Sequence, residues 1–148
     1  MTLIEQAKQQ SQQIQQTFLE RVKLLFEDIE EWAAEKQLLT RAGEVQITEK
    51  VIGSYSAPTL SIYTRQQEEL VEIVPQCAFV IVAEGIVHLN GKRGSEHIAY
   101  LRPNEQTIYH IRSDNWYWIE YSLPRNKAYA MRKELFFYLL AVISSFDE

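Results

Sequence analysis

Cysteine is nearly absent from this chain, since Cys77 is the only one among 148 residues. One cysteine cannot form an internal disulfide, and no metal-type spacing surrounds it, so we expect a reducing compartment and a cytoplasmic location. The thiol lies in PQCAF, where the sequence predicts the start of a strand and no helix N-terminus follows. A half-buried structural thiol is therefore expected rather than a nucleophile.

Long hydrophobic runs are missing as well. The longest apolar run covers residues 135–143, which is much shorter than the roughly 20 residues of a membrane-spanning helix. The N-terminus has neither a basic start nor a long apolar stretch, so a signal peptide is not expected. We predict that the protein has no membrane partner.

An excess of positive charge is also missing, because the formal net charge is −5. This balance argues against a broad nucleic-acid surface. Basic residues gather only at a hairpin tip and at the start of the last helical segment, where they are Lys92, Arg93, Arg125, Lys127, Arg132 and Lys133. We interpret them as solvated positions, and we read the acidic face of the first helix in the same way.

Known catalytic and cofactor motifs are not found. The chain has no phosphate loop, no Gly-x-Gly-x-x-Gly, no Cys-x-x-Cys and no Gly-x-Ser-x-Gly, which are the arrangements that cradle phosphates or activate nucleophiles. The sequence therefore predicts no catalytic residue and no cofactor.

Helical spacing dominates residues 1–40, with Gly43 as the expected stop. The apolar positions recur at threes and fours and are Ile4, Ala7, Ile14, Phe18, Val22, Leu25, Ile29 and Trp32. Residues 9–16, QQSQQIQQ, contain one large apolar side chain, so we expect this part to fray or to lean on a partner chain. From Phe18 onward the stripe is dense enough to cover a sheet.

Residues 43–123 change to a period of two, with short breaks that predict hairpins and an antiparallel meander. Residues 126–146 return to helical spacing, with Asn126 as a candidate cap. That segment is apolar around most of its circumference, so it should lie between the sheet and the first helix or a second subunit. The sequence predicts a single α+β domain, residues 1–148, with a curved antiparallel sheet; a small jelly roll or barrel with helical extensions is the alternative.

The stretch VHLNGKRGSEHIA, residues 87–99, predicts a hairpin that places His88 opposite His97. With residues 107–112 as the next strand, the register gathers several polar and aromatic side chains on one sheet face, and they are His88, His97, His110, Trp116, Trp118, Glu84 and Glu120. Two tryptophans do not suit a face that meets only water, so we predict that this face binds something.

Two functions remain open from the sequence. The first is a small cytoplasmic protein-binding or accessory protein without catalytic activity, which forms a homodimer through one or both helices or binds another protein. The second is a metal- or small-ligand-binding sheet protein, with a possible enzymatic role, that uses His88, His97 and His110, because neutral imidazoles are good ligands for zinc and iron.

Overall fold

A computed structural model describes residues 2–80, 83–103, 111–121 and 126–147. Seven antiparallel strands form one open sheet in chain order, between a long N-terminal and a short C-terminal helix. The elements are α1 (Leu3–Glu35), β1 (Leu39–Glu49), β2 (Gly53–Tyr63), β3 (Glu69–Cys77), β4 (Ile86–Gly91), β5 (Gly94–Leu101), β6 (Asn115–Glu120), β7 (Lys127–Ala130) and α2 (Lys133–Ile143). The predicted α+β meander is confirmed. None of the helices in these ranges is long and apolar enough to cross a membrane.

Helix α1 begins with a capping box and ends earlier than the sequence predicts. The Thr2 hydroxyl accepts a hydrogen bond from the Glu5 N–H at 3.1 Å, and the Glu5 carboxylate accepts one from the Thr2 N–H at 3.2 Å. The helix ends at Glu35, not near residue 40, because Gln37 adopts a positive φ of 60° and turns the chain. Gly43 therefore lies within β1 and is not the helix stop.

The glutamine-rich part of α1 contacts its own chain. The Gln15 amide donates to the Ile52 carbonyl at 2.8 Å, and the Ser11 hydroxyl donates to the Val51 carbonyl at 3.3 Å. Both carbonyls belong to the turn that joins β1 to β2. These contacts provide the support that QQSQQIQQ cannot obtain from apolar burial.

Several strands extend through segments that the sequence predicts as breaks. GSYSAP is part of β2, and the PQC segment closes β3, so that Cys77 lies at a strand end. The β3–β4 register shifts between Pro75 and Cys77, where a proline without an N–H would interrupt the ladder.

The β4–β5 hairpin has the predicted register, with Gly91 paired to Gly94 and His88 to His97. The strand next to β5 is not the one that the sequence predicts. β6 pairs directly with β5, which places Trp118 opposite Ile98 and Trp116 opposite Tyr100. Residues 104–110 lie outside the described residues, and Ile111 lies outside any strand.

The C-terminal helix is shorter than predicted, because α2 begins at Lys133 and not near Asn126. Residues Lys127–Ala130 form β7, where Tyr129 stacks on Trp118 at 6.0 Å between ring centroids and Lys127 pairs with Glu120. These cross-strand partners favour an extended conformation over helical spacing.

Both helices pack on one face of the sheet, which we call the inner face. Gly85 on this face abuts the Phe18 ring of α1, and Gly91 abuts the backbone of Ile143 in α2. The helices also meet each other, since the rings of Trp32 and Phe136 lie 5.9 Å apart. The largest buried side chains of the core include Phe18, Ile29, Leu89, Ile98, Phe136 and Leu139. The C-terminal helix is thus buried against the sheet as predicted, and it lies beside α1.

A smaller apolar cluster covers part of the opposite, outer face. Its members are Ala83, Ala99, Leu101 and Tyr117, with Val80, Ile86, Ile111, Ile119 and Ala128 around them. His88 and His97 lie on this outer face, because they alternate along β4 and β5 with the inner-face residues Leu89 and Ile98.

Candidate functional site

The predicted histidine pair is present on the outer face. The imidazole centroids of His88 and His97 lie 5.9 Å apart, at an interplanar angle of 40°. Partial burial lowers the pKa of His88, and the neighbouring charge of His97 lowers it further. His88 also lines a cavity of about 240 Å³ together with three amide side chains, those of Gln46, Gln76 and Asn90.

The other residues predicted for this face lie elsewhere. Trp116 and Trp118 are on the inner face, because β6 rather than residues 107–112 pairs with β5 and places them opposite Tyr100 and Ile98. Glu120 lies on the same face of β6 as these two tryptophans and pairs with Lys127. His110 lies outside the described residues. Within the described ranges, no group of three or more His, Cys, Asp or Glu side chains is arranged to hold a metal ion.

Glu84 belongs to a different site, a groove between α1 and the sheet. Two cavities of about 180 and 320 Å³ lie along one side of α1, and Arg21 lines both of them. We call this pair of cavities the α1 groove. The larger cavity is lined by Gln13, Ile14, Thr17, Arg21, Ala78, Phe79, Glu84 and Arg102, and the smaller one by Arg21, Leu24, Leu25, Asp28, Trp32, Tyr100, Asn115, Trp116 and Met131.

Arg21 is fixed at the centre of the α1 groove. Its guanidinium carbon lies 3.9 Å from the centroid of the Tyr100 ring, and one guanidinium nitrogen lies 3.4 Å from a Glu84 oxygen. The other Glu84 oxygen is 3.6 Å from Arg102, which contacts Asp114 at 3.2 Å. This alternating chain of charges connects α1 to the sheet and leaves the Arg21 side chain only 18% exposed.

Exposed apolar side chains border the α1 groove. Leu24 on α1 is 53% exposed, and Phe79, which follows β3, is 51% exposed. Trp32 and the buried Trp116 add aromatic surface inside the smaller cavity. Burial of these side chains by a ligand would remove apolar area from water, which favours association.

Carboxylates surround these apolar positions on the solvent side of α1. Helical spacings of three, four and seven residues place Glu27, Glu20 and Glu31 beside Leu24, and all three are exposed. Asp28 lines the smaller cavity. The negative charges around the α1 groove therefore outnumber the two positive charges of Arg21 and Arg102 within it.

Cys77 is a half-buried free thiol. Burial raises the pKa of its thiol, and the Glu49 carboxylate raises it further, so the thiolate is disfavoured. This agrees with the structural thiol that the sequence predicts, although Cys77 ends β3 rather than beginning a strand.

Sequence patterns did not reveal the α1 groove, because its walls come from distant segments. One local signal exists: Arg21 lies next to the apolar stripe of α1, between Phe18 and Leu25. Its partners Glu84 and Tyr100 become neighbours only through the β4–β5 pairing and the packing of Phe18 on Gly85. Comparison of the chain with family models, with curated proteins and with solved structures finds no match.

Proposed function

We propose that this protein is a non-catalytic binding protein that takes up a basic segment of another protein, with apolar side chains, along the α1 groove. One observation supports the proposal most strongly. Two cavities share Arg21 as a lining residue, and the half-exposed side chains of Leu24 and Phe79 line one cavity each. Self-association and a cytoplasmic location belong to the same proposal.

The shape of the α1 groove favours a polypeptide over a small molecule. The groove follows α1 from Gln13 to Trp32, which corresponds to about 28 Å at 1.5 Å per helical residue. Each cavity alone is near or below the lower end of the roughly 300–1,000 Å³ range of small-molecule pockets. An extended segment of about eight residues has the length of the groove.

The charge pattern favours a basic segment. Glu20, Glu27 and Glu31 flank Leu24 on the exposed side of α1, whereas Arg21 and Arg102 are already engaged by Glu84 and Asp114. Lysine or arginine side chains of the partner would find exposed carboxylates, which raises association rates and selects against acidic partners.

A display library of random peptides about ten residues long, slightly longer than the roughly eight extended residues that span the α1 groove, tests this proposal. We expect enriched peptides that combine Lys or Arg with large apolar residues. Leu24→Gln and Phe79→Gln should each weaken their binding at least about tenfold, because apolar anchors carry most of such affinity. Val142→Gln is the matched control, since Val142 is 50% exposed on α2 and should leave binding unchanged.

Charge reversal separates the electrostatic part of the proposal. Glu27→Lys should weaken the same peptides, and added salt should reduce the difference between this variant and the wild type. Failure to enrich any peptide, or equal weakening by Val142→Gln and Leu24→Gln, would contradict the proposed function.

The histidine pair supports a second candidate function, the binding of a metal ion or small polar ligand on the outer face. The supporting observation is the 5.9 Å separation of the two imidazoles beside a cavity lined by amides. Calorimetric titration with Zn²⁺ of protein without a histidine tag tests it, with His88→Gln as the variant and Ser95→Ala as the control. Binding that His88→Gln does not change would remove this candidate.

A further inference from the structure

We propose that two copies of this chain pair antiparallel through β1, with Val45 opposite Val45 of the second copy. The inference deepens the self-association part of the proposed function and uses a different surface from the α1 groove. No residue of β1 lines either cavity of that groove. An experiment can therefore contradict pairing through β1 and leave the proposal about the α1 groove unaffected, or the reverse.

β1 is an edge strand without the usual protection against pairing. It is eleven residues long and pairs with β2 along its whole length without a bulge. Within the part of the chain that the structure describes, no further strand lies beyond it. It contains no proline and no lysine, which are common means of blocking an edge, whereas β7 at the opposite edge has four residues and begins with Lys127.

Symmetry limits how two β1 strands can meet. Antiparallel pairing of identical strands requires a two-fold axis perpendicular to the sheet, so the same face of both sheets points the same way. Side chains directly opposite each other must share a face, and residues share a face at a period of two. Residue numbers that oppose each other must therefore both be odd or both be even, and the axis must pass midway between one residue and the same residue of the second copy.

Among the residues of β1 itself, charge selects one register, because the Glu44–Lys50 pair of an axis at Ile47 would need a residue of the turn after β1. An axis at Val45 places Arg41 opposite Glu49 of the second copy, twice in the dimer, and Glu44 opposite Gln46 of the second copy. An axis at Glu44 places two carboxylates opposite each other, and axes at Gly43 or Gln46 give no ion pair. Opposite charges directly across a sheet stabilise the pairing, and like charges oppose it.

Both charged partners have contacts within their own chain. The Glu49 carboxylate accepts hydrogen bonds from the Ala78 N–H at 2.9 Å, the Phe79 N–H at 3.2 Å and the Tyr55 hydroxyl. A carboxylate offers about four acceptor positions, so one is left for a guanidinium. Arg41 lies 4.7 Å from the centroid of the Tyr63 ring and donates to Gln67 at 3.1 Å. These partners lie on the β2 side of the strand, so the guanidinium leaves them when it pairs with the second copy.

Disulfide trapping in a Cys77→Ser background tests this register. Val45→Cys should form a covalent dimer under mild oxidation, because directly opposed Cα atoms are about 4.5–5.5 Å apart. Glu44→Cys and Gln46→Cys are the controls. Their thiols belong to Cα atoms offset by about 8 Å in this register, beyond the disulfide limit of about 7 Å.

Sedimentation equilibrium of the unmodified chain provides the second measurement. We expect a species of twice 17.4 kDa, and Arg41→Glu should raise its dissociation constant at least about tenfold at low salt by opposing two carboxylates. A monomer at all concentrations, a dimer that Arg41→Glu does not weaken, or cross-linking at residues 44 or 46 as efficient as at residue 45 would overturn the proposal.

Discussion

Arg21 is the side chain that lines both cavities of the α1 groove. Its planar guanidinium stacks on Tyr100 and pairs with Glu84 at the same time, a combination that a lysine ammonium cannot reproduce. Because the Arg21 side chain is mostly buried, Glu84 keeps this charge from being left without a partner. In this position Arg21 lines both cavities.

The histidine pair gives a prediction at the same scale. His97→Gln should raise the pKa of His88 toward its ordinary value of 6.5. The rise should be incomplete, because burial is the larger cause of the lowered pKa and remains in the variant. An NMR titration of the His88 ring protons measures this, with Ser95→Ala as the control. An unchanged His88 titration in His97→Gln would show that the two imidazoles do not interact.

The lowered pKa of His88 also fixes the direction of a stability change. Between the folded pKa and 6.5 the unfolded chain binds more protons than the folded chain, so the free energy of unfolding increases with pH in that window. Urea unfolding should show a smaller loss between pH 7.5 and pH 5 for His88→Gln than for the wild type. An equal loss in both proteins would contradict the shift.

At the scale of elements, the N-terminal half of α1 depends on the β1–β2 turn. Gln15→Ala removes the hydrogen bond to the Ile52 carbonyl, so amide hydrogen exchange in residues 3–14 should accelerate, while the global free energy of unfolding falls by only about 0.5–1.5 kcal/mol. Gln12→Ala is the matched control, since Gln12 is exposed on the same helix. Equal exchange in the two variants would contradict this role of Gln15.

The contact between the β4–β5 hairpin and α2 provides a second prediction at this scale. A Cβ on Gly91 would lie 2.1 Å from the Ile143 carbonyl oxygen, a backbone atom that also accepts from the Arg93 N–H at 2.9 Å. Gly91→Ala should therefore lower the free energy of unfolding by about 1–3 kcal/mol, the usual cost of overpacking. Chemical denaturation measures this free energy of unfolding. Ser95→Ala, at an exposed position of the same hairpin, should change it little. Equal losses would show that the close contact is absent.

Local patterns predicted the elements better than their boundaries. The His88–His97 register followed from two glycines and a short turn, and it is confirmed. The faces of Trp116 and Trp118 were predicted wrongly, because the strand that pairs with β5 is β6. Such pairing is a nonlocal choice, and one change of partner or register moves every side chain of a strand to the other face.

The helix boundaries show the same limit. KAYA, residues 127–130, fits a helix and a strand equally well by periodicity, and only its pairing with β6 decides. The α1 groove was beyond prediction for a related reason, because Arg21, Glu84 and Arg102 are far apart in the sequence.

At the scale of the whole molecule, the α1 groove and the β1 edge are separate surfaces. Carboxylates lie beside the groove on α1. The chain as a whole is also negative, with a formal net charge of −5. A basic partner would therefore be attracted at long range and positioned by Leu24 and Phe79 at short range. A dimer through β1 would present two such grooves and increase avidity for a partner with repeated segments.

The most direct test of the α1 groove uses the three tryptophans as reporters. Trp32 and Trp116 line the smaller cavity of the groove. Trp118 is outside both linings and donates its indole N–H to Glu96 at 3.0 Å. The measurement is a titration of ¹⁵N-labelled protein with a library-selected peptide, followed through the indole N–H signals, which single Trp→Phe variants assign. We predict shifts of the Trp32 and Trp116 signals and a constant Trp118 signal; a shift of Trp118 alone, or no shift in any of the three, would contradict binding in the α1 groove.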